Sequence, residues 1–240
     1  MSTTLEIAVF NLESALDAIY AGADRIEFCE NPAEGGTTPS YGSLSRLIQI
    51  ASQPVYPIIR PRGGDFLYSD EEFEILKSDV QLVKELGYPG CVIGLLLPDG
   101  NIDVNRTAEL VAMAGNMEVT FHRAFDRCMD PLKGLEDVIK TGCKRILTSG
   151  QVPNAMDALP LIKKLVEQAE DRIVIMPGSG VRANNILQIM QSTGAVEMHS
   201  SARKMFPSQM YFNQPSMKEQ MVFTGVDETE IAAMKKAISI

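Results

Sequence analysis

Short apolar runs of strand length alternate along this chain with stretches whose apolar residues recur every three or four positions. The first pattern predicts strands at Leu5–Phe10, Arg25–Cys29, Val55–Pro61, Cys91–Leu97, Glu118–Arg123, Arg145–Ser149, Arg172–Pro177 and Val196–Ser200. The second predicts helices at Leu12–Ala21, Ser43–Ala51, Asp70–Leu86, Val104–Ala114, Pro131–Lys140, Met156–Ala169, Asn184–Gln191 and Asp227–Ala237. Gly22, Gly87, Gly142 and Gly194 sit just past helix ends, where a left-handed residue stops a helix. Strand-then-helix order, repeated at roughly 30 residues per unit, predicts an α/β fold: one (β/α)8 TIM barrel over residues 1–240. A doubly wound sheet is the alternative, but the first strand–helix turn, Phe10 to Ser14, has no GxGxxG. Residues 201–225, with Pro207 and Pro215 and little periodicity, read as an irregular excursion before the last helix.

Side chains alternate between the two faces of a strand, so parity assigns each residue a side. In Arg25–Cys29 one parity carries Arg25, Glu27 and Cys29 and the other Ile26 and Phe28. Thr120 and His122 share a side in the fifth strand, Glu197, His199 and Ser201 in the eighth, and Arg60 and Arg62 at the end of the third. The apolar parity faces the helices, which predicts a polar barrel interior. A buried ion-pair network explains such an interior in part, since buried charges must be paired. It does not explain why both histidines of the chain, His122 and His199, fall at the C-terminal ends of strands, where barrels carry their chemistry.

Composition narrows the setting. Hydrophobic residues make up 45% and charged residues 22%, ordinary for a globular protein, and 240 residues suffice for one large core. A net charge of −9 argues against a nucleic-acid partner but leaves room for a small anion in a locally basic pocket. No apolar run is long enough to span a bilayer, and the first residues lack the basic and apolar regions of a signal peptide, so no membrane role and a cytoplasmic location are expected. Cys29, Cys91, Cys128 and Cys143 show neither CxxC pairing nor disulfide spacing and are expected as free thiols.

The strand-end loops carry the candidate chemistry. Arg60, Arg62 and Arg123 bring guanidinium forks suited to carboxylate or phosphate. Gly178, Ser179 and Gly180 follow the seventh strand, and Ser200 and Ser201 end the eighth, the place where barrels commonly bind phosphate; Ser149 ends the sixth. His122 is a candidate acid/base, with Glu27 as a proton-transfer partner and Asp126 or Glu197 to orient it.

Taken together, Ala23-Asp-Arg-Ile-Glu-Phe-Cys29, Glu34-Gly-Gly-Thr-Thr-Pro-Ser40, Ile59-Arg-Pro-Arg-Gly-Gly-Asp-Phe66, Thr120-Phe-His-Arg-Ala-Phe-Asp126, Arg145-Ile-Leu-Thr-Ser-Gly150 and Glu197-Met-His-Ser-Ser201 resemble the copper homeostasis protein CutC family. The resemblance implies a cytosolic TIM barrel with a role in copper tolerance, delivery or storage, and copper as the cofactor or cargo. Cys29 is the one cysteine on a matched motif; with His199, and with His122 or Met176 as further donors, it is the metal site the resemblance implies. Against copper stands an enzyme acting on a small anionic or phosphorylated substrate, with the arginines and glycine loop as clamp. A third reading is a scaffold that acts through homo-oligomerisation.

Overall fold

Eight parallel strands form an inner ring: β1 (Thr4–Val9), β2 (Arg25–Phe28), β3 (Val55–Pro57), β4 (Gly90–Ile93), β5 (Glu118–Phe121), β6 (Arg145–Thr148), β7 (Val174–Pro177) and β8 (Glu197–Ser200). The structure is a computed structural model describing residues 3–218 and 221–239. The strands pair in two groups of four, in the orders β3-β2-β1-β8 and β4-β5-β6-β7. A single parallel bridge, Ile58 to Val92, joins the groups on one side. On the other side β7 and β8 lie next to each other, with no paired ladder among the described residues. The expected (β/α)8 barrel is therefore present, with one seam that the backbone does not lace.

Helices α1 (Leu12–Tyr20), α2 (Tyr41–Ile50), α3 (Asp70–Glu85), α4 (Val104–Ala114), α5 (Pro131–Thr141), α6 (Leu159–Ala169) and α7 (Ile186–Thr193) follow the strands in turn. Most start where a short polar side chain accepts an orphan amide: Asn11, Ser40, Asp103 and Asp130 do so, and Ser69 and Glu72 close a reciprocal capping box on α3. The sixth helix was expected from Met156, but Pro160 sits in its first turn, and residues 155–158 form a tighter 3₁₀ turn instead. Outward strand residues such as Ile26, Phe28, Phe121 and Ile146 are sealed against the helices. Each such side chain contributes about 1.5–3 kcal/mol by leaving water.

The described residues of the 201–225 stretch, of which 219 and 220 lie outside the description, are less irregular than expected. After a left-handed turn at Ala202 (φ 41°), β9 (Arg203–Pro207) pairs antiparallel with β10 (Val222–Val226), and α8 (Glu228–Ile238) closes the chain. The rings of Phe206 and Phe223 stack at 5.6 Å across this ribbon, and Gly225 leaves the space that the Phe206 ring fills. Cross-strand aromatic pairing of this kind holds the ribbon where periodicity alone gave no signal. No helix among the described residues is long and apolar enough to cross a membrane.

Candidate functional site

Register sets the levels inside the ring. Glu6 of β1 stands opposite Arg25 on one side and His199 on the other, and one pleat higher Ala8 stands opposite Glu27. The lower level is a closed set of charges. Arg25 pairs with Glu6 and Glu197 and donates to Met176 Sδ at 3.3 Å. Arg145 donates to Glu197 at 3.1 Å and to Glu118 at 2.6 Å, and the Tyr56 hydroxyl donates to Glu118 at 2.8 Å. Both guanidinium groups also lie over the Tyr56 ring, 5.2 and 5.3 Å from its centroid.

His199 links this level to the next. Its Nδ1 lies 2.8 Å from Glu6 and its Nε2 3.7 Å from Glu27. Burial disfavours the imidazolium, but the bond to Glu6 and the charge of Glu27 outweigh it and raise the His199 pKa. Burial likewise opposes ionisation of Glu6, yet Arg25 and His199 bring its carboxyl down to about 2. Glu27 has weaker partners: burial, reinforced by the charge of Glu6, lifts it to about 7 against the opposing pull of His199 and Arg25. A carboxyl poised near neutrality is what general base catalysis needs.

His122 is the opposite case. Burial and the charge of Arg60 push its pKa down to about 3, so the ring is neutral. Its Nδ1 accepts the Ala124 amide at 3.1 Å, which assigns the proton to Nε2, and Nε2 is buried with no partner among the described residues. Gly94 makes this position possible, because a Cβ there would come within 2.2 Å of Nδ1. Phe66 packs on the ring at 4.9 Å.

Both histidines and Glu27 open into a cavity of about 410 Å³ at the barrel mouth. Arg60, Arg123, Arg182 and Arg203 share its wall with the backbone of Ser179–Val181 and Ser200–Ser201. Arg182 and Arg203 make no ion pair among the described residues, and the Arg60 guanidinium donates to the carbonyls of Glu34, Gly36 and Gly64. The amides of Gly180 and Val181 make no hydrogen bond among the described residues. Ser179 (φ 76°) and Gly180 (φ 69°) turn this loop through two successive left-handed residues. Such consecutive amides form a concavity suited to an anion.

Other candidates lie elsewhere. Arg62 turns outward to Asp65 and Glu72, away from the cavity. Asp126 does not reach His122: it accepts from Thr148, Ser149, Gln151 and Arg123. Ser149 donates to the Val152 carbonyl at 2.5 Å and accepts from Arg123 at 2.8 Å, so Asp126 and Ser149 brace Arg123. Glu197 sits in the lower level. Gly178 lies beneath the mouth, where a Cβ would crowd Leu147 and His199. Sequence reasoning passed over Glu6, the one charge in an apolar strand, and over Arg182 and Arg203, each just past a loop it had singled out.

A soft metal is poorly served here. Burial, with Glu27 and Glu6 beside it, pushes the Cys29 thiol well above its usual range. His199 has its nitrogens facing two carboxylates, and Met176 receives an arginine N–H. Cu(I) wants a thiolate and a free imidazole lone pair, and these residues as arranged do not fit it.

The CutC family model matches residues 3–204. A CutC protein of Proteus mirabilis is 45% identical over 98% of this chain and 96% of its own length. The human protein named copper homeostasis protein cutC homolog is 48% identical over 89% of this chain and 78% of its own. A crystal structure of a CutC from Streptococcus agalactiae superposes with a TM-score of 0.78 at 34% identity, covering 83% of this chain and 98% of that one. Phosphoribosylanthranilate isomerase from Thermotoga maritima, at 14% identity and a TM-score of 0.59 over 98% of each chain, shares the fold alone.

Proposed function

Because the chain belongs to the CutC family, whose members carry this barrel, we propose that its mouth binds a small phosphorylated or carboxylated molecule and moves a proton on it. One observation carries this: Arg60, Arg182 and Arg203 share a cavity with no carboxylate partner among the described residues, next to the free amides of the seventh loop. Guanidinium groups without counter-ions lower the free energy of an anion brought between them. Glu27 and His199 supply a proton relay at its edge. A cytoplasmic setting goes with this proposal and accords with four free thiols.

Titration of inorganic phosphate by calorimetry tests it. Arg203→Ala is expected to weaken binding by about tenfold or more, the loss of one charged hydrogen bond. Arg62→Ala, turned away from the cavity, is expected to leave it unchanged. Absence of phosphate binding, or equal losses in the two variants, would refute the anion site.

The copper role in the relatives' names is the second reading, and the contact of Cys29 and His199 with a shared neighbour, Glu27, is what favours it. Both donors would have to shed a proton that the surrounding carboxylates hold in place. Titration of Cu(I) under reducing conditions is therefore expected to give weak, equal binding to wild type and Cys29→Ala. Tight binding that disappears with Cys29 would establish copper at this site.

A further inference from the structure

We infer that the anion held at the mouth also carries a carbonyl group, and that Glu27 and His122 act across it as base and hydrogen-bond donor in an enolisation. This rests on the anion reading and specifies its chemistry. The cavity offers little else that reacts. None of its lining residues among those described is a lysine or a cysteine to form a Schiff base or a thiolate adduct at the carbonyl carbon. Two of its serines are engaged: Ser179 donates to the Pro153 carbonyl and Ser200 to the Val181 carbonyl, both at 2.7 Å. Besides the hydroxyl of the third serine, Ser201, the reactive groups left in the lining are Glu27 and the two histidines, which are suited to proton transfer.

The two groups it needs are both present. His122 cannot donate to protein through Nε2, because Nδ1 is tied to Ala124 and the ring is wedged between Gly94 and Phe66. Buried donors in folded proteins have acceptors, and His122, with its Nε2 unpartnered among the described residues, is one of the residues lining the cavity. A neutral imidazole N–H is a good partner for a carbonyl oxygen that becomes an enolate. Glu27 lines the same cavity from β2, with His199 behind it.

In the step, the Glu27 carboxylate takes the proton from the carbon next to the carbonyl. The C–H electron pair becomes the new C=C bond, and the C=O π pair moves onto oxygen, to which His122 Nε2–H donates a hydrogen bond. Return of the proton from Glu27 to carbon restores the carbonyl, so no other reactant is consumed. The arginines hold the anionic group while Ala8, Ile58 and Leu147 floor the cavity with apolar surface.

Phosphoglycolohydroxamate, which carries a phosphate beside an enolate-like oxygen pair, is the probe, with inorganic phosphate as reference and the full chain as protein. The hydroxamate is expected to bind wild type about 100-fold more tightly than phosphate, as mimics of a reaction's high-energy state do. Glu27→Gln and His122→Phe are each expected to cut that advantage, read as the ratio of the two affinities within each variant, by about tenfold or more. His122→Gln, which keeps a donor near the Nε2 position, is expected to recover most of it and guards against misfolding of the Phe variant. If phosphate binds but the hydroxamate binds no better, or its advantage survives both variants, enolisation is wrong and the anion site stands. If neither ligand binds, both proposals fall.

Discussion

Glu6→Ala is expected to destabilise the protein by about 3–5 kcal/mol, the cost of breaking a buried ion pair from one side. Glu6 is fully buried and serves Arg25 and His199 at once. Its removal leaves Arg25 with Glu197 and Met176 alone, strips His199 of its Nδ1 partner and opens a void at the centre of the barrel. The pH dependence has a fixed sign. The folded carboxyl titrates at about 2, below its ordinary 4.5, so its contribution is complete above 4.5 and is lost as pH falls through 2. Urea unfolding at pH 7 measures the loss, and repetition at pH 3 is expected to show a smaller gap between variant and wild type. A loss under about 1 kcal/mol at pH 7 would mean the lower ring of charges is not what holds the interior.

Glu27→Gln is expected to do the reverse and stabilise the protein at pH 8, by as much as about 3 kcal/mol. Here the folded carboxyl titrates at about 7 and the unfolded one near 4.5. Wild type therefore has its full Glu27 contribution below 4.5 and loses it as pH rises through 7, because ionising a buried carboxyl is costly. Glutamine cannot ionise and escapes that cost. The gain should grow from about pH 4.5 to pH 8 and vanish on the acid side, as read from denaturation midpoints across that range. A gain equal at both ends, or a loss at pH 8, would show that Glu27 is not strained by its surroundings. A residue that weakens its own fold near neutrality is most simply explained by use.

Much of this interior was legible in advance because strand parity is rigid. Once Ile26 and Phe28 are assigned to the helices, Arg25, Glu27 and Cys29 have only one side left, and the same logic places His122, Glu197 and His199. Legibility failed where the chain leaves the strand. The β3 ladder ends at Pro57 and a last bridge at Ile58, so parity still holds for Arg60 but has lost its meaning by Arg62. Arg203 follows a left-handed turn at Ala202, and no pattern of polar and apolar positions encodes where such a turn aims the next side chain. Asp126 looked like a partner for His122 from sequence distance alone. The turn over Arg123–Arg127 instead swings it under the β6 loop, where backbone amides claim it.

The unlaced seam between β7 and β8 gives the charged interior a mechanical meaning. Arg145 of β6 reaches past β7 to Glu197 of β8, and Arg25 of β2 grips both Glu197 and Met176 of β7. These side chains span the gap as tie rods, from within, where amide ladders, and at β3–β4 a single bridge, fasten the other strands. A hoop riveted in that way depends for its closure on a few interior side chains, so its shape at this seam is set by ion pairs where elsewhere it is set by the backbone.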